Sequence, residues 1–118
     1  MEGEVLSYQV GFFSDQNLNA EGLVIADLET GETFEVQRSL SFDDQDRQLH
    51  LDTYCLIFQG RSHYGGLVSW RALDDASLAL TLTTGAAQTL GLPEEFVIPT
   101  LTSEDWSTIH SHLPLLLV

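Results

Sequence analysis

Asp43, Asp44 and Asp46, with Gln45 among them, crowd three carboxylates into four residues. Oxygen donors at that density can hold a hard cation, work as an acid–base pair, or present negative charge to a partner. A calcium loop of the EF-hand type needs spaced acids, a central glycine and a distal glutamate, and that spacing is missing here. His110 and His112 stand two apart on a predicted helix, so they point to different sides and cannot chelate one ion together. His50 lies in the strand entry "QLHLD", and His63 lies in "GRSHYGG", residues 60–66. No metal site is read from these residues.

Catalysis has no clearer signal. The chain has no glycine-flanked nucleophile elbow, no phosphate-cradling loop and no dinucleotide fingerprint. Ser62, His63 and Tyr64 are neighbours in sequence, which is not how a triad is built. Cys55, the single cysteine, sits in the apolar run "YCLIF" and reads as a structural thiol. One cysteine also excludes an intrachain disulfide and a thiolate metal site. The reading is therefore a non-enzyme without catalytic residues or cofactor.

The same residues make a better contact surface. Tyrosine and arginine are the types that most often anchor interfaces, so Arg61, His63 and Tyr64 join Asp43, Asp44 and Asp46 as the candidate partner-binding set. A purely structural account competes with this one. Gly65 and Gly66 suit a tight return into the next strand, and the acids can offset Arg38 and Arg47, with Arg38 and Asp46 pairing to lock the loop. Residue chemistry alone does not separate the two.

At 118 residues, 43% hydrophobic and 19% charged, the chain has the size and composition of one globular domain spanning 1–118. The 18 acids face four arginines and no lysine, for a net charge of −14. Nucleic acid and anionic membranes should repel such a chain, which argues against both as partners. Excess acid serves solubility, and it also speeds encounter with a basic protein. "MEGEVLSYQV" lacks the basic start and apolar core of a signal peptide, and "LPLLLV" is too short to span a bilayer, so a cytoplasmic location is expected.

Period-two patterning dominates the elements that must position these groups. "SLALTLT" sets Leu78, Leu80 and Leu82 on one face, "GLVSWRAL" alternates too, and Asp74-Asp75 reads as the hairpin turn between them. "DTYCLIF" reads as a buried strand, joined to "GLVSWRAL" by a loop, "QGRSHYGG". "LVIADL" and "TFEVQRSL" flank a turn at Glu29-Thr30-Gly31-Glu32, and "EVLSYQVGF" opens the domain. "SDQNLNAEG" after it looks like an exposed connection. "TGAAQTLGL" can hold a short helix ended by Gly91. Thr102 and Asp105 resemble a capping box for a last helix carrying Trp106, Ile109 and Leu113 on one stripe, stopped by Pro114. The expected class is α+β: six or seven mostly antiparallel strands, a short helix, and a C-terminal helix packed on one side. Strand order is not readable from this pattern.

Gln37, Arg38, Leu40, Phe42, Asp43, Gln45 and Asp46 form one patterned segment, Asp52, Thr53 and Tyr54 a second, and Tyr64, Gly65 and Gly66 a third. Leu80, Leu82, Ala87, Leu90 and Gly91 follow in order. In that order, over about residues 34 to 98, the chain resembles the bacterial immunity protein family numbered ten. The tail "HSHLPLLLV" departs from the basic, aromatic ending of that family. The resemblance implies a protein that neutralises a cognate secreted or contact-delivered toxin by binding it. If the toxin is a nuclease, an acidic surface would suit its basic groove. Two competing readings are a small-ligand or carbohydrate-binding β domain using Trp70, Tyr64 and the acidic loop, and a metal-assisted hydrolase built on the aspartates.

Overall fold

The chain was analysed as a computed structural model, which describes residues 8–74, 76–99 and 101–117. The start of the predicted first strand (residues 4–7), Asp75 of the predicted turn, and the last residue lie outside that range. Among the described residues eight antiparallel strands form two sheets, with three helices: more strands than the six or seven expected and one helix more, but the α+β class holds.

The first sheet runs in chain order: β1 (Tyr8–Asp15), β2 (Ala20–Asp27), β3 (Thr33–Ser39), β4 (Cys55–Phe58) and β5 (Arg61–Tyr64). What looked like an exposed connection after β1 is a tight turn over residues 16–19, with β1 continuing to Asp15 and β2 starting at Ala20. A five-residue helix, α1 (Asp44–Gln48), lies between β3 and β4. The second sheet holds β6 (Leu67–Ala72), β7 (Leu78–Leu82) and β8 (Glu95–Ile98), with α2 (Thr84–Leu90) between β7 and β8. The chain ends in α3 (Ser103–Leu116).

Alternation decides what each strand buries. Val10, Leu23, Ile25, Phe34, Val36 and Leu56 point inward from the first sheet and meet Leu78, Leu80 and Leu82 of β7 in one core. Ala86, Ala87 and Leu90 of α2, Ile98 of β8, Leu101, and Ile109, Leu113 and Leu116 of α3 complete it. Ala79 points away from that core yet is also buried, because Arg71 of β6 and Glu95 of β8 form an ion pair of 3.1 Å across β7.

Two further features differ from expectation. The segment Arg61–Tyr64, read as a loop, is a strand closed onto β4 by Gln59 and Gly60, both with positive φ (51° and 78°). That conformation at both central residues matches the twist-compatible two-residue hairpin turn. Pro114 does not stop α3: the helix continues to Leu116, because burying Leu113 and Leu116 outweighs the one backbone bond the proline cannot donate.

The helix caps follow the predicted chemistry. Thr102 Oγ1 accepts from the Asp105 N–H at 3.0 Å, and the Asp105 carboxylate accepts in return from Thr102 N–H at 3.3 Å. The same carboxylate also accepts from Val10 N–H at 3.3 Å, so the cap ties α3 to the edge of the first sheet. Gly91, with φ 73°, closes α2 in the left-handed conformation.

The passage from the first sheet to the second runs through Gly65 and Gly66, with φ 70° and 99°. Tyr54 staples it. Its hydroxyl accepts from Leu67 N–H at 3.0 Å and donates to the Leu67 carbonyl at 3.3 Å, while its own carbonyl accepts from Gly65 N–H at 2.9 Å. Tyr54→Phe leaves the half-buried Leu67 N–H and carbonyl without this partner. A loss of about 1–3 kcal/mol in urea unfolding is expected.

Candidate functional site

The aspartate cluster forms the first turn of α1 instead of an open loop. Asp43 is the N-cap, its Oδ1 accepting from Asp46 N–H at 2.8 Å, and Asp46 Oδ2 accepts from Asp43 N–H at 3.0 Å. This reciprocal box explains the spacing of the two acids as capping chemistry, with acids at the positive end of the helix. Asp44 pairs with Arg47 at 3.0 Å, yet its side chain is 96% exposed. A pair so open to water stabilises little, and the charge remains available at the surface. Asp46 is taken up by the cap, while the Arg38 guanidinium lies over the Phe42 ring at 4.9 Å. Among the described residues no group of three His, Cys, Asp or Glu side chains is arranged to hold a metal ion.

Strand β5 divides the other candidates between its two sides. Arg61 and His63 face α2. A Cβ built on Gly91 would come within 2.6 Å of the Arg61 guanidinium, so this cation sits against the helix C-terminus, where the helix dipole favours it. His63 is half-buried, with Nδ1 at 3.1 Å from the Gly65 carbonyl, and because a carbonyl only accepts, Nδ1 carries the proton. Tyr64 points the opposite way and is 47% exposed. Tyr64 and α1 share one end of the first sheet, where β3 ends and β4 begins.

Beside Tyr64 lies an open groove of about 250 Å³, lined in part by Gln37, Arg38, Cys55, Ile57 and Ser62. Burial pushes the Cys55 thiol above its ordinary pKa, only partly offset by hydrogen bonds from the His63 backbone and Ser62. It is therefore a poor nucleophile at neutral pH. Trp70, which the competing ligand-binding reading set beside Tyr64, belongs to β6 in the other sheet and packs against His110, ring centres 5.7 Å apart. His110 and His112 do point to different sides, His112 stacking on Phe12 at 3.6 Å.

Residue patterning missed the outward face of the first sheet. Strand register aligns Gly11, Val24, Glu35, Ile57 and Ser62 in one row, and Phe13, Gly22, Gln37, Cys55 and Tyr64 in the next. The signal was present in "YCLIF": an unbroken apolar run reads as buried on both sides, whereas here Leu56 is fully buried and Ile57 only half.

These features describe a small α+β fold. The sequence matches the family profile described as Immunity protein 10 over residues 8–106, and the chain belongs to that family. No curated protein and no solved structure matches it significantly. No helix among the described residues is long and apolar enough to cross a membrane.

Proposed function

We propose that this protein neutralises a cognate bacterial toxin by direct protein–protein contact in the cytoplasm, without catalysis and without a cofactor. Membership of the Immunity protein 10 family over residues 8–106 carries this reading. The contacts are drawn from Asp43, Asp44 and Asp46 of α1 and from Arg61, His63 and Tyr64 of β5. The exposure of Asp44 and Tyr64 supports their part in it. With 18 acids against four arginines, the partner surface is basic. A nuclease groove is the basic surface such a chain would cover, standing in for the negatively charged substrate.

Survival of cells that express the neighbouring toxin gene together with this one is the direct test, with killing unabated as the outcome against it. The double variant Asp43→Asn, Asp46→Asn then isolates charge from folding. Asparagine caps a helix about as well as aspartate, so the melting temperature should hold within ~2 °C. Toxin affinity should fall by about tenfold at low salt and by less at high salt. A lowered melting temperature with unchanged affinity would assign the cluster to the fold alone.

A further inference from the structure

The residues that carry the family pattern are largely spent on the fold. Asp43 and Asp46 cap α1, Tyr54 staples the crossover, Gly65 and Gly66 turn it, and Gly91 ends α2. The outward face of the first sheet is not spent in this way. None of its side chains joins the buried core cluster, and α3 and the second sheet pack on the inward side. Its two central rows run across all five strands. Val24, Ile57, Cys55 and Phe13 are each half-buried there, with Tyr64 exposed at one edge.

At the centre stands one carboxylate. Glu35 lies between Val24 and Ile57 in the cross-strand row. Its Oε1 accepts from the Gln37 amide at 2.7 Å, and it has no cationic partner among the described residues. The outward face of the second sheet differs, because the Arg71–Glu95 pair neutralises it from within. A half-buried carboxylate flanked by apolar side chains is complementary to a cation on an apolar surround.

We infer that the toxin docks on the outward face of the first sheet, setting an arginine or lysine against Glu35 and an apolar side chain in the groove over Cys55 and Ile57. This rests on the toxin-neutralising reading above and names its contact surface. The occupant is a protein surface that is basic around an apolar centre. Charge chooses it: Glu35 has no ion-pair partner among the described residues, and the chain carries a net charge of −14. Tyr64 then contacts the toxin at the rim of the same face, and the α1 acids steer it from the adjoining end.

Cys55, as the only cysteine, reports on this face without any substitution. The chain is co-expressed with a toxin that it protects against, and the complex is purified. N-ethylmaleimide modification of Cys55 is then timed by mass spectrometry in free and bound protein at alkaline pH, where the thiol that burial holds protonated ionises enough to react. Docking over the groove slows modification at least about tenfold, and Glu35→Gln weakens the complex by about 10- to 100-fold with an unchanged melting temperature. Ile57→Arg should cost about 100-fold or more, by setting a cation against the toxin's own. Equal modification rates in free and bound chain overturn the docking surface and leave neutralisation standing. Failure of the wild-type chain to form a complex removes both.

Discussion

Gly66→Ala is expected to be among the most damaging single-methyl changes in this protein. Two independent costs add at this position. The backbone holds φ 99°, which an L side chain rarely adopts, and a Cβ there would approach the Ala86 Cβ to 2.6 Å and the His63 ring to 3.1 Å. Ala86 is fully buried in α2, so the helix must shift to make room. Backbone strain of about 1–2 kcal/mol and overpacking of about 1–3 kcal/mol point to a total loss of roughly 2–5 kcal/mol. Set against a typical domain stability of ~5–15 kcal/mol, this is a large fraction. Chemical unfolding measures it, and Gly65→Ala is the informative comparison: its φ is also positive (70°), but nothing stands within 4 Å of the added methyl. The first variant should lose clearly more than the second. Equal losses would mean that the contact with α2 contributes nothing.

Ile109→Ala carries the second large effect. Ile109 is fully buried on α3, in the core that also holds Leu23, Ile25 and Val36 from the first sheet. Truncation removes apolar contacts and leaves a cavity that the sheet, fixed by its ladder of hydrogen bonds, fills poorly. A loss of about 2–5 kcal/mol follows. Ser111, two residues on, is exposed, and Ser111→Ala should stay within about 0.5 kcal/mol of wild type. The pair therefore reads out which face of α3 the core uses. Comparable effects at both positions would contradict the packing described.

These positions also show which parts of the fold could be read directly. The hairpin of β6 and β7 was legible because Leu78, Leu80 and Leu82 alternate with small and polar residues, and period two is a local signal. α3 was legible from Thr102 and Asp105, since a capping box is written within four residues. β5 was not, because Arg-Ser-His-Tyr has no apolar alternation. It is an edge strand whose inward residues, Arg61 and His63, lean on α2 instead of entering the core. Pro114 misled for a related reason: the local rule against proline inside a helix lost to the long-range burial of Leu116.

The candidate site divides along the same line. The chemistry of Asp43 and Asp46 is local and could have been recognised as a cap, by the same reasoning that identified Thr102 and Asp105. The outward face of the first sheet depends on the register of five strands, and Glu35 becomes central only once β2 and β4 lie on either side of it. No local pattern carries that information. What the residues did supply was charge: 18 acids and no lysine suit solubility and encounter with a basic protein alike.

The central claim is that this chain acts by binding a toxin, and titration calorimetry of the purified protein into the purified domain of a toxin that it protects against tests that claim most directly. The account predicts a saturable one-to-one complex, tighter at low salt than at high salt, and loss of toxin activity in proportion to the complex formed. No heat of binding at any salt concentration, with the toxin fully active in the presence of excess protein, would contradict it.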